Sequence, residues 1–415
     1  MSPSLKTATL AAVALGLLTF YTAAFTRNYQ AHRAASSSSI EGLERAIALA
    51  PGNADYALLL ARSRTLGLLQ FQPGINEYKR ALALNRYSSR GWLDLAAAYQ
   101  MAGDPAGQRE AMQQAVAVDP RTPGVAWEVA TFYVVQGDVQ RALPYYKTVL
   151  STTEGDTKAV LEVLWSATGG DAALILREVL PNDVRSHIEF LRFASEQKNV
   201  AAANVVWERL VNLSGPKPVR SLLPYFELLL ASGQSAQALA AWKQLGAVDA
   251  EMAKYMPRAD NLIVNGDFEE ELLGGGLDWK LQRHPSLDLK LDTLEFHSGN
   301  RSVSATFEQG GVGSLGLFQL VPVQGGAEYR FSAFAKSVEL TTASGPRLLI
   351  TDAYTGERYF FSDDQRGTTG WKEIQSVFRV KPETTLLKIE LAREQWQPLI
   401  RGKLYLDELT LRPAQ

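Results

Sequence analysis

The spacing of apolar residues changes once along this chain, at Asn261, and that change constrains the fold more than any other feature. Before it, apolar residues recur at the three- and four-residue intervals of a helix. After it they alternate, as on the two faces of a strand. The stretch N-L-I-V-N-G-D-F-E, Asn261 to Glu269, sits on the switch. It reads as a short strand, Leu262 to Val264, entering an Asn-Gly-Asp turn, because Asn and Gly tolerate the left-handed backbone such a turn needs. A chain of 415 residues with this switch is expected to hold a helical domain followed by a strand domain.

Composition narrows the function classes. With 46% hydrophobic and 21% charged residues, the chain is an ordinary globular one. A net charge of -2 supplies no general attraction to nucleic acid, which is excluded as a partner. Cysteine is absent, so disulfides, thiolate metal sites and a cysteine nucleophile are excluded too.

From Thr7 to Phe25 no residue is charged, with Lys6 before the run and Arg27 after it. As a helix these residues reach roughly 28 Å, close to the hydrocarbon thickness of a bilayer. Two readings stand, an uncleaved single-pass signal anchor or a signal peptide cleaved near Thr22 to Ala24. Phe20, Tyr21 and Phe25 near the far interface favour the anchor. The expected topology is a single pass through a bacterial inner membrane, with the bulk of the chain periplasmic or otherwise extracytoplasmic. The alternative is secretion after cleavage. The run A-A-S-S-S-S, Ala34 to Ser39, reads as a short flexible tether and hinge closing a segment 1–39.

Residues 40–255 carry an internal repeat. Similar closes recur at I-A-L-A-P ending on Pro51, L-A-L-N-R ending on Arg86 and V-A-V-D-P ending on Pro120, spaced 35 and then 34 residues apart. Trp92, Leu95, Ala96 and Tyr99 begin one such unit, Gly103 its turn, Met112 and Ala115 its second helix; Ala126, Val129, Ala130, Tyr133, Ala142 and Tyr146 stand at the same offsets in the next. This pattern resembles the tetratricopeptide repeat, most clearly over 40–155 and again over 185–250. Leu43, Ala46 and Pro51 then read as a lone second helix capping the array. The resemblance implies a superhelix whose concave face binds a partner protein, with Arg90, Gln100, Trp127, Arg192 and Glu227 as groove candidates.

Residues 261–415 alternate in Tyr329 to Lys336, Leu386 to Leu391 and Lys403 to Leu411, with turn signals at Gly299-Asn300, Gly325-Gly326, Thr355-Gly356 and Thr369-Gly370. In the first of these strands Tyr329, Phe331, Ala333 and Ala335 share one face, and Arg330, Ser332, Phe334 and Lys336 the other. An antiparallel β-sandwich is expected. The landmarks N-G-D-F-E at Asn265 to Glu269, Gly276 with Trp279, H-S-G-x-x-S at His297 to Ser302, Gln319 to Ser332, Trp371 to Phe378 and the closing Leu404 to Leu409 come in a telling order. Together they resemble the jelly-roll carbohydrate-binding modules and their galactose-binding-like relatives. The resemblance implies glycan binding through exposed aromatics, with Trp396 and Tyr354 as platforms and Gln397, Arg330 and Lys336 as hydrogen-bonding partners. It also implies one structural Ca²⁺ held by Glu269 and Asp407 with backbone near Asn300, and it puts Trp279 and Trp371 at positions that are usually core.

No catalytic constellation stands out. His32, His187, His284 and His297 are scattered, without metal-ligand spacing. The expected protein is a non-enzymatic, membrane-anchored envelope scaffold that pairs protein recognition with glycan recognition, as in assembly or export of surface polysaccharide, and requires no cofactor beyond that calcium. Its rivals are a purely structural adaptor and an accessory subunit of a carbohydrate-active enzyme. Because only Met256 to Asp260 separate the last helix from Asn261, the sandwich is expected to dock on the helices.

Overall fold

The computed structural model describes residues 3–151, 157–282, 284–310, 314–394 and 399–414. The helices are α1 (Pro3–Ala35), α2 (Ile40–Leu49), α3 (Ala54–Arg62), α4 (Phe71–Leu84), α5 (Ser89–Ala102), α6 (Pro105–Val118), α7 (Pro123–Val135), α8 (Val139–Leu150), α9 (Thr157–Thr168), α10 (Ala172–Glu178), α11 (Val184–Glu196), α12 (Val200–Val211), α13 (Val219–Ala231) and α14 (Ser235–Val248). A π-helical turn, Ser63–Gly67, follows α3, and a 3-10 helix, Ala250–Tyr255, follows α14. The strands are β1 (Lys280–Leu281), β2 (Leu287–Asp292), β3 (Ser302–Gly310), β4 (Ser314–Pro322), β5 (Glu328–Thr341), β6 (Arg347–Asp352), β7 (Arg358–Phe361), β8 (Gly367–Arg379), β9 (Leu386–Ala392) and β10 (Ile400–Pro413). The chain is thus helical first and stranded after. It packs as two compact units, residues 1–169 with 177–180, and residues 170–176 with 181–415. The boundary between units falls inside the helical half, so the last helices share a unit with the strands.

Local chemistry starts and stops the helices of the first unit. Side chains of Ser39, Asn53, Ser88, Asp104 and Asp138 each accept a backbone N–H at the start of the helix that follows, which stabilises each by about 1 kcal/mol. Gly103 ends α5 in the left-handed region at φ 73°. Ala96 and Ala130 are wholly buried, as expected where helices pack closely with little side chain between them.

Helix α2 is not a lone cap. Ala31 and Ala35 of α1 are buried in one cluster with Leu43, Ala46, Ile47, Ala57 and Leu60. The carboxy-terminal turns of α1 are therefore its packing partner. The serine run is correspondingly not a loose tether. Ser37 Oγ donates to the Ala34 carbonyl at 2.8 Å, Ser38 takes φ 53°, and Ser39 caps α2. Gly42 is required there, since a Cβ would stand 2.6 Å from the Ala34 carbonyl oxygen.

In the second unit, α12, α13 and α14 are joined by aromatic contacts. Trp207 lies 5.0 Å from Tyr225, and Phe226 lies edge-on 4.8 Å from Trp242. The indoles are satisfied as well, Trp207 Nε1 donating to Gln244 at 2.9 Å and Trp242 Nε1 to the Tyr255 carbonyl at 2.7 Å. The strands form two antiparallel five-stranded sheets, a first in the order β1-β4-β9-β6-β7 and a second in the order β2-β3-β10-β5-β8. Alternate residues from both sheets, among them Leu317, Val321, Phe331, Ala333, Ile350, Ile389, Leu404 and Leu411, fill one core.

Asn261 to Glu269 is an ordered segment rather than the expected regular strand. Leu262 N donates to the Leu411 carbonyl at 2.8 Å and Leu409 N to the Gly266 carbonyl at 2.8 Å. Between those points the Asn261 side chain takes the place of a ladder, donating to the Leu409 carbonyl and accepting the Leu411 N–H, both at 3.0 Å. Asn265 does adopt the left-handed conformation, at φ 48°. Gly266 serves a different need, because a Cβ there would meet the Leu409 oxygen at 2.1 Å. Thr369-Gly370 likewise makes no turn; it lies within β8, where the register against β5 shifts.

The sandwich and the last helices are clasped within this unit. Tyr255 Oη donates to the Glu271 carbonyl at 2.7 Å, Arg220 to the Leu272 carbonyl at 3.1 Å, and Gly276 N to Glu227 at 2.8 Å. The short linker therefore does what its length implies.

Candidate functional site

Strand parity decides which side chains leave the core. In β4, Leu315, Leu317 and Val321 point inward, so Phe318 and Leu320 face out. By the same count Lys388 and Glu390 face out of β9, Arg347, Leu349 and Thr351 out of β6, and Phe361 out of β7, while a register shift between Ile350 and Thr351 brings Arg358 opposite Thr351 and so to the same face. The pairing sets these in rows across the first sheet. Lys280 opposes Phe318, Phe318 opposes Glu390, Glu390 opposes Leu349 and Leu349 opposes Phe361. Two half-buried phenyl rings thus stand in one row, three strand spacings or roughly 14 Å apart.

Cations flank both rings. Lys280 and Lys388 lie 5.5 and 5.0 Å from the Phe318 centroid. The guanidinium groups of Arg347 and Arg358 lie 4.9 and 5.4 Å from that of Phe361. Carboxylates complete the lining: Lys388 pairs with Glu390 at 2.6 Å, and Arg347 reaches Glu394 at 3.6 Å and Asp364 at 3.8 Å. Burial raises the Asp364 carboxyl, but the Gly345 N–H and the Arg366 and Arg347 guanidinium groups outweigh it and hold Asp364 below the usual carboxylate range. The face combines apolar platforms with a dense set of donors and acceptors, the chemistry that a chain of hydroxyl-rich rings needs. One end of it borders α14, because Leu320 and Pro322 line a small cavity together with Leu239 and Lys243 of that helix.

The outer face of the second sheet also carries aromatics, but these are covered. The His297 ring stacks on Phe334 at 3.7 Å, with Trp371 edge-on at 5.7 Å from His297 and 6.5 Å from Tyr405. His297 Nδ1 is held by Glu408 at 2.7 Å, and Ser298 Oγ donates to the same carboxylate at 2.6 Å. Trp371 is therefore packed, though on the outside of β8 under a loop rather than in the central core.

The residues singled out from sequence do not converge. Trp396 and Gln397 lie outside the described residues. Tyr354 is 44% exposed, but its hydroxyl donates to the Leu230 carbonyl of α13 at 2.8 Å, so it belongs to the clasp and not to an open platform. Arg330 and Lys336 stand on the outer face of β5 in the second sheet, whereas Tyr354 lies in the turn between β6 and β7 of the first, and Lys336 is paired with Glu295 at 2.8 Å. In the first unit Arg90 pairs with Asp94 at 3.0 Å, Gln100 is exposed, and Trp127 packs edge-on against Tyr146 at 5.7 Å. In the second, Arg192 reaches Glu196 at 3.8 Å. Glu227 is not a groove residue, since its two oxygens are taken by Gly276 N and Lys280.

Glu269 and Asp407 hold one loop. Glu269 accepts the N–H groups of Asn300 at 2.6 Å and Arg301 at 3.0 Å. Asp407, wholly buried, accepts those of His297 at 2.8 Å and Ser298 at 3.2 Å. Both carboxylates face N–H donors, whereas calcium takes a ring of oxygens, so this donor set does not fit that ion. Among the described residues no group of three or more His, Asp or Glu is placed to hold a metal.

Phe318, Phe361, Arg347, Lys388 and Glu390 were not singled out from sequence. A parity count was the available signal, because each stands beside a core residue and so on the opposite face. An aromatic on the polar face of an alternating strand marks such a position.

Residues 260–397 match the family model of a carbohydrate-binding domain. No curated protein matches the chain. Among solved structures, one described as "CBM4 structure and function" shares 14% identity over 37% of this chain and 99% of its own, with a TM-score of 0.29. TmCBM61, solved in complex with β-1,4-galactotriose, shares 19% identity over 37% and 99%, with a TM-score of 0.28. MamA shares 21% identity over 31% and 69%, with a TM-score of 0.25. The strand region, by its family match, is similar to carbohydrate-binding modules.

Proposed function

We propose that this protein is a membrane-held, non-catalytic glycan-binding scaffold. The first sheet's outer face takes a polysaccharide, and the helical repeats, read as tetratricopeptide-like, take a partner protein. The carrying observation is the row Phe318, Glu390, Leu349, Phe361 on a sandwich whose sequence matches a carbohydrate-binding domain. A row running across the strands offers successive rings of an extended glycan two apolar platforms with charged hydrogen-bonding groups between them. The repeat reading is supported by the 34- to 35-residue recurrence and by the full burial of Ala96 and Ala130. Anchoring is supported by α1, which is long and apolar enough to cross a bilayer and whose residues from Leu10 to Phe25 are almost all exposed. Surface polysaccharide assembly or export is a setting that uses both kinds of recognition.

The test is a glycan array probed with the full chain in detergent, beside Phe361→Ala. Binding of at least one extended glycan, weakened by the substitution, is expected; no binding to any glycan sinks the lectin reading and leaves a structural adaptor. A periplasmic reporter fused after Gln415 that stays inactive overturns the outward orientation.

A further inference from the structure

We infer that the first two loops between helical pairs, Pro51 to Asn53 and Leu84 to Tyr87, lie in the headgroup layer of the membrane, with Leu84 and Tyr87 as the inserted groups. The inference rests on the proposed span in α1. Helix α1 is unbroken from Pro3 to Ala35, and its apolar run closes at Phe25. Arg27 follows by two residues, about 3 Å further along the axis. Arg27 and Asn28 line the same open cleft as Pro51, Asn53, Leu84 and Asn85. Whatever depth Arg27 takes, these loops share it. If the hydrocarbon ends at Phe25, they meet lipid headgroups.

The chemistry of the second loop suits that level. Ala83 to Tyr87 are all exposed, Leu84 at 46% and Tyr87 at 70%. Arg86 lies 5.0 Å over the Tyr87 ring and donates to its hydroxyl at 2.8 Å. An exposed leucine and tyrosine beside arginines is the composition of an interfacial belt, where the ring sits among headgroups and the cations meet phosphate. The turn is also held in place, because Trp92 Nε1 donates to the Arg86 carbonyl at 2.9 Å and Tyr87 N to Asn85 Oδ1 at 3.2 Å. It needs no ordering to insert.

The lack of cysteine makes the test direct. Single cysteines at Phe25, Gln72 and Ala83 would each carry an environment-sensitive fluorophore on the full chain. The chain would be reconstituted in phosphatidylcholine–phosphatidylglycerol vesicles containing nitroxide lipid. Gln72 and Ala83 are both exposed on α4 and lie about 16 Å apart along it. A headgroup nitroxide is expected to quench position 83 about twofold and position 72 negligibly, with the difference shrinking when Leu84 and Tyr87 are both replaced by serine. Equal, weak quenching at 83 and 72 while an acyl-chain nitroxide quenches position 25 overturns this inference and leaves the span standing. A blue-shifted but unquenched label at 83 assigns the loop to a protein contact and also overturns it. An unquenched position 25, or a chain that has lost its first 24 residues, removes the span and the inference with it.

Discussion

Glu227 Oε1, on α13, accepts the Gly276 N–H of the sandwich at 2.8 Å, and its other oxygen pairs with Lys280, the first residue of β1. One carboxylate thus closes a helix onto the loop and strand that open the first sheet. Glu227→Ala is expected to leave the Lys280 ammonium, whose side chain is only 14% exposed, without that partner. The cost should be about 1–2 kcal/mol, read as an earlier urea transition of the full chain. Glu227→Gln keeps the acceptor for Gly276 and should recover part of the loss. A transition unmoved by Glu227→Ala would show that the clasp contributes nothing.

Gly276 meets a second constraint from the same junction. Its φ is +62°, and a Cβ would stand 2.3 Å from the Trp242 ring. Gly276→Val therefore combines backbone strain with a clash against an indole fixed by its own hydrogen bond. A loss of about 2–4 kcal/mol is expected, together with a changed tryptophan emission spectrum. Gly274, also left-handed at φ +81° but with nothing near its would-be Cβ, is the control. Gly274→Val should cost no more than the strain alone.

Much of this fold was legible. Alternation in Tyr329 to Lys336 put Phe331 and Ala333 on one face and Phe334 on the other, and the structure has that division, with Phe331 and Ala333 in the core. What misled was any inference that treated a side chain as free because nothing local claimed it. Glu227 and Tyr354 are polar residues on exposed-looking positions, yet their partners lie 49 and 124 residues away. Contacts of that range leave no periodic trace. Ala31 and Ala35 were missed for another reason, since they lie beyond the apolar run, in a polar stretch where two small residues four apart leave too weak a periodic signal to mark a packed face. Thr369-Gly370 carried turn chemistry but fell within a long strand, where the register against β5 shifts without the chain reversing.

The proposed glycan face separates into two positions by openness. Phe361 lies on β7 beside Arg347 and Arg358, whereas Phe318 lies on β4 toward the end that α14 approaches. Phe361→Ala should weaken glycan binding about tenfold, near 1.4 kcal/mol, and Phe318→Ala by less. Phe334→Ala, which removes an aromatic of similar burial from the covered cluster of the second sheet, should leave affinity unchanged. Titration calorimetry with the best array ligand checks all three. Equal losses at Phe334 and Phe361 would mean that the substitutions act through stability rather than contact.

Asp278 sits two residues beyond Gly276, wholly buried, and its Oδ2 accepts the Leu273 N–H at 2.6 Å. Burial pushes its carboxyl from 3.8 up to about 7, against the opposing pull of the N–H groups of Leu273 and Trp279. The folded state therefore binds this proton more tightly than the unfolded chain does. The resulting stability is fully present below about pH 4 and is lost as pH rises toward 7, with an upper limit on the order of 4 kcal/mol. Glu269, Asp352 and Asp364, whose carboxyls are held low, oppose this trend by losing stability as pH falls. A difference against Asp278→Asn isolates the single group, because asparagine keeps the acceptor for Leu273 and cannot ionise. The variant should match the parent chain near pH 4, then gain on it steadily, and be the more stable protein at pH 8. Denaturant melts at five or six pH values would resolve the curve; a flat difference would mean that water reaches the carboxylate and that burial is not what the loop imposes.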